Sequence, residues 1–532
     1  MPRKRIAVIG ARASGLGAIK SCLEEGLEPT CFERSNDIGG LWRYEEPTES
    51  GRASVYKSAT SNTSKEMTAY SDFPFPGHLP NYLHNSRIME YLRMYAQHFH
   101  LMKYIQFLVC SVKRRAEFSC TGQWDVVVEA EGKQESHVFD GVMVCSGLYT
   151  HPSLPLRDFP GIKKFKGQYI HSWEYKSPEK FQDKKIIVVG TGNSGVDLAI
   201  ELSHVTTQVF LSTRHGAWIW NRVWDDRMPM DAVLFTRFNS IVNKFYPTFL
   251  MNRWAENKLN ARFNHEVYGL QSQHRYVLEF FKNNFAPVFW SHDDLPNHII
   301  SGRVLVKPNV RELTETSAIF EDDTEEDIDI IVFATGYTFS LPFLEDDSKI
   351  LDSQYSMFKF VFHPQLEKPT LAFIGILKPV GATIPTSELQ SRWAVRVFKG
   401  VNKLPSVSGR LADIRKKRAK LGKEVRYVDY MDEIATEIGV KPNLLSLFLW
   451  DPKLAMEIFF GPCTPYQYRL QGPGKWAGAR EAIMTQRERI IKPLRTRVVT
   501  CDQRPLSVLF WLRSICGAAL LFFVFTLVIV KG

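Results

Sequence analysis

The chain has 532 residues, 44% hydrophobic and 23% charged, with a formal net charge of +10; this is material for two or three domains with full cores, and it excludes a disordered or low-complexity protein. Eight scattered cysteines with no C-x-x-C pair exclude a disulfide framework and a zinc site, so no metal is expected and a reducing compartment is. The basic balance suits an anionic membrane surface, whereas the run 415–418 (RKKR), with Lys420 and Lys423, lacks interleaved aromatics and reads as a solvated helix face, which leaves nucleic acid out as a partner.

Residues 5–10 (RIAVIG) form a short apolar run that Arg12 ends, with no small-residue cleavage site after it, so the pattern is a strand and not a signal peptide. A small-residue turn, a helical stretch over 14–25 and a second strand at 29–33 (PTCFE) follow. The acid Glu33 stands 23 residues after Gly10, which is βαβ spacing for a dinucleotide: the helix N-terminus takes the pyrophosphate and the carboxylate takes ribose hydroxyls. Such a motif alone is weak. A second copy strengthens it, at 185–195 (KIIVVGTGNSG) with its own following strand 208–214 (QVFLSTR).

The copies differ where their ligands should differ. Glu33 repels a 2′-phosphate, while Ser212, Thr213 and Arg214 offer hydroxyls and a fixed positive charge to one, although Arg214 also reads as a surface arginine at a strand end. The first site is therefore expected to hold the adenosine of FAD, through Gly10, Ala11, Ala13, Ser14, Gly15 and Glu33. The second is expected to hold NADPH, through Gly190, Gly192, Asn193, Ser194 and Gly195 with the strand-end residues. Two further apolar runs end in glycine, 142–147 (VMVCSG) and 328–337 (IDIIVFATGY), and are expected to return the chain to the first sheet on either side of an insertion.

Residues 165–175 (FKGQYIHSWEY) fit F-x-G-x-x-x-H-x-x-x-Y/W and stand between the two glycine motifs. With 33–42 (ERSNDIGGLW), 56–62 (YKSATSN), 73–76 (FPFP), 333–337 (FATGY) and 460–467 (FGPCTPYQ), the chain resembles the vertebrate flavin-containing monooxygenases of the class B type over nearly its whole length. The resemblance implies an α/β fold with two Rossmann-like domains, the NADPH domain inserted in the FAD domain, and a C-terminal transmembrane helix. It implies NADPH- and O₂-dependent oxygenation of small lipophilic amines and sulfides through a C4a-hydroperoxyflavin, which survives only in a dry site under a nicotinamide lid. Baeyer-Villiger insertion into ketones is a variant of the same chemistry.

By the same resemblance Asn62 is the catalytic side chain and a cofactor contact, Arg222 an NADP contact, and Gly40, Leu41, Trp42, Thr335 and Gly336 cofactor contacts. An amide at Asn62 suits the chemistry because it donates and accepts without a titratable proton; the alternatives are a turn former and a glycosylation acceptor, since 62–64 reads N-T-S. His171 is expected to be structural or domain-coupling.

The sequence departs from the family at three places. Residues 10–15 (GARASG) put Arg12 where the second glycine lets the backbone touch the pyrophosphate. If the intruding side chain loses two charge-assisted hydrogen bonds at about 1.5–3 kcal/mol each, FAD affinity falls by about a hundredfold to ten-thousandfold. A flavin-poor, catalytically weak homologue and an uncoupled NADPH oxidase are the resulting alternatives. Residues 225–231 (DDRMPMD) lack a Tyr-Pro-Trp pattern, and the connection 271–292, with 280–290 reading FFKNNFAPVFW, is long; both concern specificity and membrane contact.

The expected domains are 1–155 (FAD, first part), 156–330 (NADPH, with an insertion at about 215–300), 331–445 (FAD, return), 446–505 (C-terminal region) and 506–530 (anchor). Residues 514–530 (SICGAALLFFVFTLVIV) carry no charge and are apolar all round; as a helix they span about 25 Å of a ~30 Å hydrocarbon core. Arg487, Arg489, Lys492, Arg495, Arg497 and Arg504 precede them, which predicts a tail anchor in the endoplasmic reticulum membrane with a cytosolic body. Membrane lipid is thus an expected partner, and self-association stays open.

Overall fold

The computed structural model describes residues 3–497 except 47–50, 131–132, 225–226, 273–287, 291–292, 346–356, 378 and 422–424. The expected anchor at 506–530 and most of the 271–292 connection lie outside the described residues. Ten strands build two five-stranded parallel sheets: β1 (Arg5–Ile9), β2 (Glu28–Phe32), β3 (Ile105–Gln106), β4 (Gly141–Val144), β5 (Gln168–His171), β6 (Lys185–Val189), β7 (Gln208–Ser212), β8 (Val304–Lys307), β9 (Ile330–Phe333) and β10 (Leu371–Phe373). The strand orders are β10-β4-β1-β2-β3 and β8-β7-β6-β9-β5. In β1, Ile6 and Val8 enter one core and Ala7 and Ile9 another; in β6, Ile186 and Val188 part in the same way from Ile187 and Val189. Burial on both faces is why these strands read as unbroken apolar runs.

All five strands of the second sheet fall between β4 and β10 of the first, so one nucleotide-type unit is nested in the other. One expectation is corrected. The run 328–337 does not return to the first sheet: β9 pairs with β6 and β5, and the return is made by β10 against β4. In its own sheet β9 plays the part that β4 plays in the first, the third strand beside the glycine-loop strand, which is why the two runs look alike. A boundary at 330–331 therefore cuts through a strand of the second sheet.

Helices α1 (Ala13–Glu24) and α2 (Asn193–Leu202) follow the two glycine turns. The insertion supplies α3 (Met230–Leu234), α4 (Arg237–Phe245) and α5 (Thr248–Asn260). Beyond β10 come α6 (Thr383–Lys399), α7 (Tyr427–Ile438), α8 (Leu444–Trp450) and α9 (Pro452–Phe460). Between α6 and α7 the basic run 415–418 lies on the helix Val407–Leu421, with Arg415, Lys416 and Arg418 exposed, as a solvated face should. No helix among the described residues is long and apolar enough to cross a membrane.

Buried charge ties the C-terminal segments to the first sheet. Arg469, 1% exposed, reaches Glu388 of α6 at 2.9 Å, Asp72 at 3.1 Å and Glu24 of α1 at 3.0 Å, and its Nε donates to Ser71 Oγ at 2.7 Å. Arg237 of α4 pairs with Asp432 of α7 at 2.8 Å, and Arg489 with the buried Glu66 at 2.7 Å. Removing one member leaves the others desolvated without a partner. Arg469→Ala is therefore expected to lower stability by about 3–5 kcal/mol, read by denaturant or thermal unfolding; a loss below about 1 kcal/mol would mean that the network is locally solvated.

Candidate functional site

The carboxyl ends of β1 and β6 open on matching turns. Gly10 and Gly190 both have φ +105°, and a Cβ would lie 3.0 Å from Cys145 O at Gly10 and 2.8 Å from Ala334 O at Gly190. One turn later a Cβ on Gly15 would stand 1.9 Å from Gly10 O, and on Gly195 2.0 Å from Gly190 O. Only glycine lets each helix begin this close to its strand, so the free N–H groups of α1 and α2 point into the clefts. Neither helix carries an acid in its first turn, which keeps these ends positive.

At the third position of the turns, Arg12 (φ −77°, ψ −178°) and Gly192 (φ −65°, ψ 166°) share an extended conformation that any residue adopts. The arginine thus leaves the backbone of the turn unchanged and acts through its side chain alone. A Cβ placed on Gly40 would fall 2.3 Å from Arg12 Cγ, and one on Gly147 2.9 Å from Arg12 Nη1. The side chain is partly buried and runs across the cleft from one glycine turn to another. Burial lowers its pKa; Glu33 opposes that shift, and Arg52 and Arg34 add to it.

Glu33, at the end of β2, spends its carboxylate on its surroundings: Oε2 accepts from Ala11 N–H at 2.7 Å, and Oε1 accepts from the N–H and hydroxyl of Ser35 at 3.0 and 2.8 Å. Ser14 Oγ donates to Cys145 O at 3.3 Å, and the N–H of Gly39, beside Gly40, Leu41 and Trp42, donates to Ala11 O at 3.1 Å. Ser146 Oγ and Asn193 Oδ1 are buried without a hydrogen-bond partner among the described residues. Orphaned polar atoms beside glycine cradles fit dinucleotides; at the first cradle the Arg12 side chain is the one element that does not. Ser146 and Gly147 escaped the sequence reading because only the pairing of β4 with β1 brings them to the cleft.

On the second sheet, Thr213 Oγ1 lies 3.3 Å from Thr191 Oγ1 and Arg214 is exposed, whereas the Ser212 hydroxyl is buried and donates to Pro308 O at 2.8 Å. Thr213 and Arg214 are thus the strand-end groups facing outward. The Arg222 guanidinium lies 5.6 Å from the Tyr82 ring, with Nε unpartnered among the described residues. The Thr335 hydroxyl donates to Ser153 O at 2.5 Å, and Gly336 O accepts from His171 Nε2 at 2.9 Å. His171 Nδ1 accepts from Trp173 N–H at 3.0 Å, so the ring is neutral with its proton on Nε2, and burial lowers its pKa further. It joins β5 to the exit of β9 and serves no acid-base role in this geometry.

Asn62, half-buried, sits between two pinned serines. Ser61 N–H donates to Leu83 O at 2.8 Å and Ser61 Oγ accepts from Leu83 N–H at 2.8 Å, while Ser64 N–H donates to Asp231 Oδ2 at 2.6 Å. Asp231 belongs to α3, so a residue of the insertion holds this loop; no sequence spacing could have shown it. Val233, Leu234 and Phe235 beyond it, with Trp220, Trp254 and Tyr427, line a cavity of about 490 Å³.

The chain matches the family described as flavin-binding monooxygenase-like over residues 3–530. It is 57% identical to flavin-containing monooxygenase 5 of Rattus norvegicus over 521 residues, 96% of either chain. It is 52% identical to dimethylaniline monooxygenase (N-oxide-forming) 2 of Rattus norvegicus over 535 residues, 98% of either chain. In fold it is similar to the S-allyl-L-cysteine S-oxygenase of Allium sativum (TM-score 0.61, 21% identity, covering 92% of this chain and 99% of that one). It is also similar to NADP⁺-bound cyclohexanone monooxygenase of Rhodococcus sp. Phi1 (TM-score 0.57, 15% identity, 82% and 98%). If the Arg12 side chain competes with the cofactor diphosphate, Arg12→Gly tightens FAD by about ten- to a hundredfold, a difference of ~1.4–2.8 kcal/mol. Flavin absorbance per mole of purified protein and a fluorescence titration measure it, and an unchanged affinity would place the side chain outside the diphosphate's path.

Proposed function

Because the chain belongs to the flavin-binding monooxygenase-like family, we propose that it uses FAD and NADPH to transfer one oxygen atom of O₂ to soft nitrogen and sulfur nucleophiles. The observation that carries this reading is the pair of superposable glycine turns, one ending its second strand in an acid and the other in Thr213 and Arg214. When bound, FAD reduced by NADPH would supply the O₂-activating chemistry, with one oxygen atom going to the substrate and the other leaving as water. Gly10, Ala11, Ala13, Ser14, Gly15, Gly40, Leu41, Trp42 and Ser146 would hold the FAD diphosphate and ribityl chain. Gly190, Gly192, Asn193, Ser194, Gly195, Thr213, Arg214 and Arg222 would hold NADPH, whose 2′-phosphate calls for a fixed cation.

Asn62 supplies an amide that orients the reacting groups without a proton of its own to lose. The largely apolar cavity lined by Trp220, Val233, Leu234 and Tyr427 suits a small lipophilic amine or sulfide. Full-length protein supplied with FAD should convert a methyl aryl sulfide to its sulfoxide with one NADPH used per product. Asn62→Leu should leave flavin reduction intact and lower product per NADPH at least about tenfold, with H₂O₂ rising, since one oriented donor is worth ~2.7–4 kcal/mol. Undiminished sulfoxide yield in that variant would remove Asn62 from the mechanism.

Residues 506–530 are proposed to anchor the chain in the endoplasmic reticulum membrane with its body cytosolic. Apolar side chains favour a second, peripheral contact: Phe245 (80% exposed) and Phe249 (64%) on α4 and α5, and Leu445 (81%), Leu449 (79%) and Trp450 (85%) on α8. Phe238 of α4 packs its ring 5.2 Å from that of Phe460 on α9, the helix that follows α8. Deleting residues from 514 onward should release the protein from the integral fraction while a part stays vesicle-bound until high salt or alkali; retention as an integral protein would end the tail's role as anchor.

A further inference from the structure

Asp231 is 2% exposed, lies at the start of α3 and sends its carboxylate across 167 residues of sequence to Ser64 N–H, 2.6 Å away, two residues beyond Asn62. Ser64 itself is fully buried, and Asp231 Oδ1 makes no hydrogen bond among the described residues. The groups that face Asp231 from the elements packed on it are the phenols Tyr82, on the loop before the helix Asn85–His98, and Tyr427 of α7. Arg222 turns its backbone toward the same corner, its carbonyl accepting from Met230 N–H at 2.9 Å and Tyr82 O–H at 2.6 Å. The nearby Lys65 ammonium donates instead to Gly77 O at 2.9 Å and Leu79 O at 2.7 Å.

A carboxylate held this way is costly: it is desolvated, it has no cation of its own, and one oxygen is unpaired. A neutral acceptor would serve the Ser64 N–H equally well if the contact existed only to fix the fold. What the charge adds is strength, because an N–H donating to an ionised oxygen makes a shorter and stiffer bond than one donating to an amide or acid. Val233 and Leu234 of the same short helix line the cavity, so α3 contacts both the cavity and the loop that carries Asn62.

We infer that Asp231 is a positioning residue for the oxygenation reaction, its ionised carboxylate holding the loop that presents Asn62 in fixed register with the cavity wall. The inference rests on the reading of Asn62 as the reacting-site amide. Burial pushes the Asp231 carboxyl up to about 6, opposed first by the N–H of Ser64, then by the Ser64 side chain and by the backbone of Ala232 and Asp231. The sign follows for both function and stability. As pH falls through about 6 the carboxylate is protonated, its bond to Ser64 weakens, and oxygen transfer uncouples into H₂O₂ release. Stability runs the other way: a carboxyl whose folded pKa exceeds its unfolded one contributes stability below the unfolded value and loses it as pH rises through the folded value.

The test uses full-length, FAD-loaded protein with a methyl aryl sulfide, measuring sulfoxide and H₂O₂ per NADPH from pH 5.5 to 8.5, beside melting temperature. Native protein should lose coupling several-fold below about pH 6. Asp231→Asn keeps an acceptor for Ser64 but cannot titrate, so its coupling should be flat over the range and its melting temperature above the native one at pH 7.5. Asp231→Ala should lower coupling about fivefold or more at pH 7.5 with flavin content and flavin reduction rate within about twofold of native. The inference is overturned if the native pH fall persists in Asp231→Asn, or if Asp231→Ala stays fully coupled while Asn62→Leu uncouples. Should Asn62→Leu itself remain coupled, the inference falls together with the reading of Asn62. If Asp231→Ala does not fold, the pH profile of Asp231→Asn decides alone.

Discussion

The closeness of a helix to its strand governs this molecule. With the Cβ of an ordinary residue, position 15 would drive into the carbonyl of Gly10 at 1.9 Å and position 195 into that of Gly190 at 2.0 Å. Because these atoms are missing, α1 and α2 start directly above the carboxyl ends of β1 and β6, at the point where each sheet reverses its strand order. That is where a parallel sheet leaves a crevice, and where the unpaired N–H groups of a helix terminus concentrate positive potential. The nesting of the second sheet between β4 and β10 then sets two such crevices in one chain.

Arg12 shows how a substitution can spare a backbone and still alter a site. Its φ and ψ match those of Gly192, so the turn keeps its geometry and no strain is stored in it. The change lies in the cleft, where a flexible, positively charged side chain lies against Gly40 and Gly147. A rigid side chain there would be an absolute block. A guanidinium on four rotatable bonds is a competitor whose displacement costs rotamer freedom and local rearrangement, and which carries the charge that an incoming diphosphate needs.

The long-range architecture depends on buried ions as much as on apolar packing. Arg469 gathers Glu24, Asp72 and Glu388 from three distant parts of the chain, and Arg237 and Arg489 do the same for Asp432 and Glu66. Such groups are costly to desolvate and tolerable only when each is satisfied, so they penalise any alternative docking of the C-terminal helices more than a greasy interface would. The insertion is fastened by an ion pair through Arg237 on one side and, on the other, by the carboxylate of Asp231 on the Ser64 N–H.

The local pattern of the chain was enough to reveal the two βαβ units, the apolar runs of β1 and β6, the glycine turns and the opposite chemistry of Glu33 and Arg214, because each is written within some thirty consecutive residues by strand and helix periodicity. The partner of β9 was beyond its reach: an apolar run ending in glycine looks the same in either sheet, and only pairing with β6 and β5 assigns it. The folded chain also decided which strand-end groups remain free, since the Ser212 hydroxyl is spent on Pro308, and it alone fixed the His171 tautomer. It alone brought Ser146 beside the first glycine turn and Asp231 beside the Asn62 loop. Those contacts join segments up to 167 residues apart, and spacing along a chain carries no signal for atoms that meet only when sheets and insertions close on one another.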